Sequence, residues 1–257
     1  YTGSGGDLGD TRQSMQGGAA GAGTAINAHL VLGAAIASAN TATSLAPSRV
    51  VGTPLGAFLY GIYRSGGWRL AASVGGGSLR QTTTRDLISL GLVGQALSTG
   101  SFAGAAARAN YRWNWGNHVF VSPYADVSYL HSRYGSAQES GASLLDISYG
   151  ALSQNLTRYG AGLRLGTIVD ESHSTLIPWI QVGGVGYSGD RNPIEMQSIG
   201  GQSFAVTGTA LPGSALTAAA GLDWQGHGPW RFELAWFGDY ASRYHSNGGT
   251  ALLQYVW

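Results

Sequence analysis

The sequence predicts an all-β fold, a transmembrane antiparallel β-barrel, and three observations carry that prediction. Gly supplies 42 of 257 residues, hydrophobic residues make up 44% and charged residues only 11%. A soluble surface usually carries ~25–35% charged residues. No apolar run approaches the ~18 residues a membrane helix needs, and only helices and closed barrels satisfy every backbone group in lipid. Finally, the stretch 216–257 alternates residue by residue. Trp230, Phe232, Leu234, Trp236, Gly238 and Tyr240 share one parity, and Arg231, Glu233, Ala235, Phe237 and Asp239 the other. Side chains on a strand point alternately to its two faces, so this strand has an apolar wall backed by charge.

Composition excludes several function classes. A net charge of +1 leaves no basic footprint for nucleic acid, and Cys is absent. All 14 basic residues are Arg, a residue suited to fixed, bidentate ion pairing inside a lumen. The opening residues lack the apolar core of a signal peptide. An exported barrel beginning here is expected to be a mature form or the C-terminal part of a longer chain.

In chain order, residues 1–7 read as the tail of a strand or a Gly-rich loop. Residues 14–27 read as a strand, because Gly17, Gly18, Gly21 and Gly23 would each cost a helix about 1 kcal/mol against Ala. Residues 29–40 form a second small-residue strand without a clear inner face, and 41–49 a polar loop. The strand at 53–64 could face either way. After a tight turn at 65–67, Trp68, Leu70, Ala72 and Val74 face out and Arg69, Ala71 and Ser73 face in. A long loop is expected at 81–100.

The strand 101–115 sets Ala103, Ala105, Ala107, Ala109, Tyr111, Trp113 and Trp115 outward against Arg108, Asn110, Arg112 and Asn114. The next places Val121, Pro123, Val127 and Tyr129 outward against Phe120, Ser122, Tyr124, Asp126 and Ser128. Its Pro calls for a local bulge. A second long loop spans about 133–155. Beyond it Arg158, Gly160, Gly162, Arg164 and Gly166 face in, while Tyr159, Leu163 and Leu165 face out. Residues 169–174 read as a polar turn, 176–187 as a strand with Gln181 inward, and 188–212 as a third long loop. In the tail, Leu216, Leu222 and Trp224 face out, and Thr217 and Asp223 face in. Ala251, Leu253, Tyr255 and Trp257 close the chain.

Turns at 65–67, 116–118, 169–174 and 225–229 are short and the connections between them long, the asymmetry of outer-membrane barrels with short periplasmic turns and long extracellular loops. The strands number about eleven plus a remnant at 1–5. Because bacterial barrels have even strand numbers, twelve is the expected count. The domain is then one barrel, residues 1–257, with its first strand incomplete or upstream of residue 1.

Several stretches together resemble a known family, the translocator (β-domain) of classical autotransporters in type V secretion. Ser122-Pro123-Tyr124-Ala125-Asp126-Val127-Ser128-Tyr129 resembles its central strand, followed by a loop with Glu139-Ser140-Gly141. Tyr159 to Gly166, Gly213 to Leu222, Tyr240 to Tyr244 and Tyr255-Val256-Trp257 are similar to later strands. The resemblance implies a twelve-stranded barrel, integral to the bacterial outer membrane, whose lumen is threaded by a helix linking to an exported N-terminal passenger. Its implied partners are outer-membrane lipid, the passenger, the barrel-assembly machinery and periplasmic chaperones, with a monomeric barrel and no enzyme activity of its own. Neither the linker helix nor a full first strand is found in the sequence, and no cleavage residue is carried over.

The candidate site is the lumen. Arg69, Arg108, Arg112, Arg158, Arg164 and Arg231, with Asp126, Asp223, Glu233 and Asp239, all fall on inward parity. Charged groups at bilayer depth must face water or partners, so they mark either a passenger path or a salt-bridge web that stiffens a narrow barrel. Trp68, Tyr111, Trp113, Trp115, Tyr129, Trp224, Trp230, Trp236 and Tyr240 are expected to form the aromatic girdle. Leu253, Tyr255 and Trp257 are expected to carry the C-terminal assembly signal. No metal or cofactor is expected, since no His pair has zinc-site spacing. Competing readings are a solute channel and, resting on His131, Ser132 and Asp126, an outer-membrane hydrolase.

Overall fold

The computed structural model describes residues 2–3, 11–45, 47–116 and 118–256. The N-terminal pieces are β1 (Thr2–Gly3), β2 (Thr11–Ala25), β3 (Leu30–Leu45), β4 (Ser48–Gly52), β5 (Leu55–Ser65) and β6 (Trp68–Leu87). Then come β7 (Leu92–Tyr111), β8 (Trp113–Trp115), β9 (Val119–Tyr134), β10 (Ala137–Gln138), β11 (Ile147–Tyr149), β12 (Leu152–Thr167) and β13 (Val169–Glu171). The rest are β14 (Ser174–Gly189), β15 (Ile194–Ile199), β16 (Gln202–Thr207), β17 (Ser214–Gly226), β18 (Trp230–Ala241) and β19 (Tyr244–Tyr255).

The long strands pair antiparallel with their neighbours in sequence, from β2–β3 round to β18–β19, with β4 and β5 together bridging β3 to β6. Thr2 then pairs with both His245 of β19 and Arg12 of β2, so the ladder runs full circle. The sheet has a ring's topology, which leaves backbone groups paired where lipid offers no partner. Beyond Thr2–Gly3, no further ladder partner between β19 and β2 is found among the described residues.

Exposure follows strand parity. Leu59, Val74, Val127, Leu163, Ile180, Leu216, Leu234 and Leu253 stand 47–63% exposed on the outer face. Inward neighbours such as Phe120, Ser122, Tyr124, Trp179, Gln181 and Thr217 are 4–8% exposed. The strand of unsettled facing is thereby fixed, with Leu55 and Leu59 outward. Strands β2 and β3 use Gly and Ala on both faces, which removed the contrast that would have marked an inside.

Three expected connections are different in the structure. Residues 81–100 are not a loop: β6 and β7 continue past the lipid band and pair from Leu79↔Gly100 to Leu87↔Leu92, turning at Ile88–Leu90. The outward face of that extension is exposed, while Gly94 and Ala96 on its inward face are buried beneath the connection at 135–151. Small residues thus stand where a bulky period would have marked the strand, although Thr82, Thr83 and Thr84 favour strand. Residues 41–49 are likewise strand on either side of a tight turn at Pro47, and 169–174 holds the short strand β13 paired with β14.

One barrel end turns briefly at 26–29, 66–67, 172–173 and 227–229. The other end carries both long connections, which form a second sheet ordered β10, β11, β15, β16. The tight tips at Pro47, 88–91 and 242–243 also lie there. Long loops thus belong to one end alone, the extracellular end. Of the earlier expectations, the end of the remnant strand beyond Gly3, Asn117 and Trp257 fall outside the described residues.

Candidate functional site

Inside the ring, strands β9, β12, β14 and β17 bring their inward side chains onto one wall. Arg158 donates to Asp126 at 2.8 Å and lies 3.9 Å from Asp239. Tyr187 donates its hydroxyl to the same Asp239 carboxylate at 2.9 Å. The Arg108 guanidinium donates to the Gln181 amide oxygen at 2.6 Å and sits 4.3 Å from the Tyr124 ring centre. Arg164 stacks on Trp179 at 3.8 Å, and the Trp179 indole N–H donates to Asp223 at 3.0 Å. Arg112 covers Phe120 at 4.1 Å and donates to Asn114.

This is a recurring device. A planar guanidinium lies against an inward aromatic face, which holds the cation by its quadrupole and shields part of it from water. The aromatic needs space beneath it, and glycine supplies it: a Cβ on Gly221 would collide with the Trp179 indole. Gln181 is 8% exposed despite its polarity, because Arg108 satisfies it. Sequence parity placed these residues inward, but their partners are not their ladder neighbours. Arg164 stacks diagonally on Trp179 while standing opposite Gln181, and Arg108, opposite Asp126, reaches Gln181 two strands beyond β9.

Two open spaces lie beside these groups. A cavity of about 690 Å³ is lined by Tyr60, Ser73, Arg108, Asp126, Arg158 and Asp239, among others. A smaller one of about 210 Å³ lies between Arg69, Arg108 and Arg164 on one side and Asp223 and Glu233 on the other. Arg231 pairs with Gln225 and Gln254 in the ladders, towards the short-turn end.

The expected girdle residues stand on the outer face. Trp68, Trp113, Trp115, Tyr129, Trp230, Trp236 and Tyr240 are 38–79% exposed. Trp68 and Trp113 each pack edge-on to Tyr111 at 5.1 and 5.2 Å, as Trp230 does to Tyr255 at 5.0 Å. Trp224 is half-buried on the same face. Trp236 lies six residues along β18 from Trp230, at mid-wall rather than at a rim. Leu253 and Tyr255 point outward as well, 63% and 48% exposed.

The hydrolase grouping is not assembled. His131 faces outward and meets the Asn155 side chain at 2.9 Å. Ser132, next along the strand, points to the other face and is 8% exposed. Asp126 is engaged by Arg158. Period-two geometry separates His131 from Ser132 by the whole thickness of the wall. Among the described residues, no group of three or more His, Asp or Glu is placed to hold a metal.

A second polar centre, which the sequence did not signal as a pair, lies in the extracellular crown. Glu139, 1% exposed, receives Arg85 through Nε at 3.2 Å and Nη2 at 2.5 Å, and the Ile147 amide at 2.9 Å. Arg85 also donates to the Leu145 carbonyl at 2.6 Å. Hydrogen bonding to Glu139 raises the Arg85 pKa, while burial first and the Glu139 charge second push Tyr149 up to about 12. With the Gln95↔Ser140 bridge, this ties the connection at 135–151 to the tall β6–β7 hairpin.

The architecture matches known proteins. A family model described as the autotransporter beta-domain matches residues 1–236. The translocator domain of the autotransporter NalP from Neisseria meningitidis is similar in structure, with a TM-score of 0.75 at 16% identity, over 100% of this chain and 84% of that one. The beta domain of the Bordetella autotransporter BrkA superposes with a TM-score of 0.66 at 16% identity, over 96% of this chain and 92% of that one. The transport unit of the autotransporter AIDA-I from Escherichia coli gives 0.64 at 13% identity, over 96% and 83%. A search of curated protein sequences found no match. The chain belongs to the autotransporter β-domain family, the outer-membrane-anchored barrels that export a passenger polypeptide.

Proposed function

We propose that the passenger crosses the outer membrane through this lumen, sliding against the wall of stacked arginines and paired carboxylates. The observation that carries the reading is the arrangement of Arg108, Arg158 and Arg164. Each is held by an aromatic ring, an amide or a carboxylate, yet two open spaces lie beside them. Fixed, wetted charges let an extended peptide exchange its hydrogen bonds with water and wall, and leave no large apolar surface to trap it.

The finer parts belong to the same proposal. The ring counts twelve strands, Thr2–Gly3 standing for the twelfth, and works as a monomer without chemistry of its own. Periplasmic chaperones deliver the chain and the barrel-assembly machinery receives it, reading Leu253, Tyr255 and Trp257 at the end of the closing strand. No ATP is consumed at the periplasmic face.

Replacing Arg108 and Arg112 together by Leu tests the path, with passenger display at the cell surface as the readout. Reduced display from a barrel that still inserts supports it; unchanged display refutes it. Deleting Trp257 tests the assembly signal, and normal outer-membrane insertion would sink that part.

A further inference from the structure

Of the chain's 14 arginines, four stand on the outside of the wall near its extracellular end. Arg12, Arg49, Arg80 and Arg133 are all exposed. Arg133 shares parity with the outward Val127 and Tyr129, Arg80 with Val74, and Arg49 with Val51. Arg12 pairs with Ser44, on the outward parity of Ile36. All four stand high on the wall. Counted along its own strand from the periplasmic turn, Arg12 lies thirteen residues from Ala25 and Arg49 sixteen from Ser65. Arg80 lies twelve from Trp68 and Arg133 fourteen from Val119. At about 3.3 Å per residue and a tilt of about 35–45°, these positions fall roughly 30–40 Å above those turns. That is just past an apolar band about 25 Å tall.

The four form two pairs, with Arg49 opposite Thr84, four residues along β6 from Arg80. Ser44 pairs with both Arg12 and Arg49, so one cross-strand neighbour separates them. Arg80 pairs with Thr99 and Arg133 with Ser101, two residues apart on β7. Among the described residues none of the four makes an ion pair within 4 Å. Among the described residues, Asp86 lies one outward step above Thr84 on β6, and Asp190 accepts from Asn155.

We propose that this arc is a binding site for the phosphorylated headgroup of an outer-leaflet lipid. Arg49 stands directly above the outward Val51, and Arg80 and Arg133 stand above Val74 and Tyr129 with Ser78 and His131 between. Arg12 stands above the polar Ser14 and Gln16, so each guanidinium lies at or above the upper edge of the apolar band. Guanidinium groups bind phosphate oxygens in bidentate, charge-assisted pairs. The hydroxyls of Ser44, Thr84, Thr99 and Ser101 in the same rows supply further donors. The arc lies on the outer face and uses none of the lumen residues, so it stands or falls apart from the export path.

The test uses the folded domain in neutral detergent, titrated with diphosphorylated lipid A and read by native mass spectrometry. The wild type is expected to retain the lipid. Replacing all four arginines by Gln is expected to weaken retention by at least about tenfold, the loss of charge-assisted phosphate contacts. Should that variant not fold, R12Q/R49Q and R80Q/R133Q are measured as separate pairs, and a loss in either supports the site. Retention unchanged in every folded variant overturns the proposal. So does equal retention of the dephosphorylated lipid, and so does full displacement by millimolar inorganic phosphate, which would mark a site for the free anion.

Discussion

The two halves of the lumen wall are built from different residues. From β9 through β17 the inward face carries Phe120, Tyr124, Asp126, Arg158, Arg164, Trp179 and Gln181, each engaged by a neighbour. On β2 and β3 the inward parity carries Gly17, Ala19, Gly21, Gly33, Ala35 and Ala37 instead. The extracellular crown rises from the built half, through the connections after β9 and β14. One half holds fixed groups in place, and the other keeps the lumen open. A path for a polypeptide needs both, since a uniformly packed interior leaves no room and a uniformly bare one offers nothing to replace water.

Overpacking should separate the halves most sharply. Gly221→Leu places its side chain in the Trp179 indole and is expected to cost about 1–3 kcal/mol, read as a lower unfolding temperature by heat-modifiable gel mobility. Ala19→Leu, on the bare half, points an added side chain into open lumen and should change stability by under about 0.5 kcal/mol. Equal losses would erase the distinction between the halves.

Removing a partner is the next effect in size. Asp126→Leu leaves Arg158 with the longer contact to Asp239 at 3.9 Å and the neighbouring Tyr187 hydroxyl. Both partners remain partly exposed, so the expected loss is about 1 kcal/mol, well below the cost of breaking a buried pair. Unfolding in denaturant with and without 1 M salt checks this, and a loss of several kcal/mol would show a drier lumen than described.

The crown gives the smallest signal. Burial and the Glu139 charge raise the Tyr149 pKa to about 12 in the folded protein. The folded value lies above the ordinary 10.0, so the crown stability linked to this phenol is intact below pH 10 and is lost as pH climbs towards 12. The absorbance titration near 295 nm of wild type minus Tyr149→Phe should therefore have its midpoint close to 12. A midpoint at 10 would mean that the phenol lies outside the Arg85–Glu139 centre.

The built half was the legible one. Alternation of bulky against charged residues in 101–131 and 216–240 fixes strand, facing and turn together, because each side chain reports its own solvent. The bare half was read only as strand-like, since Gly and Ala fit lipid, lumen and neighbouring backbone equally. The 81–100 hairpin was missed for a related reason: past the lipid its outer face is wet and its inner face packs through Gly94 and Ala96, so no bulky period marks it. Individual pairings such as Arg164 on Trp179, or Arg85 with Glu139, depend on diagonal packing between strands and on loop docking over sequence separations of 15 and 54 residues. No local pattern encodes these.

The central claim is that the passenger travels inside the ring. Ala219 and Ala220 are consecutive on β17; Ala219 lines the lumen cavity and Ala220 has the outward parity of Leu216. A photo-crosslinking residue is placed at each in turn, in a cell exporting a passenger stalled midway. The account predicts crosslinks to the passenger from position 219 and none from 220. Crosslinks from 220 alone, or equal yields from both, would contradict it.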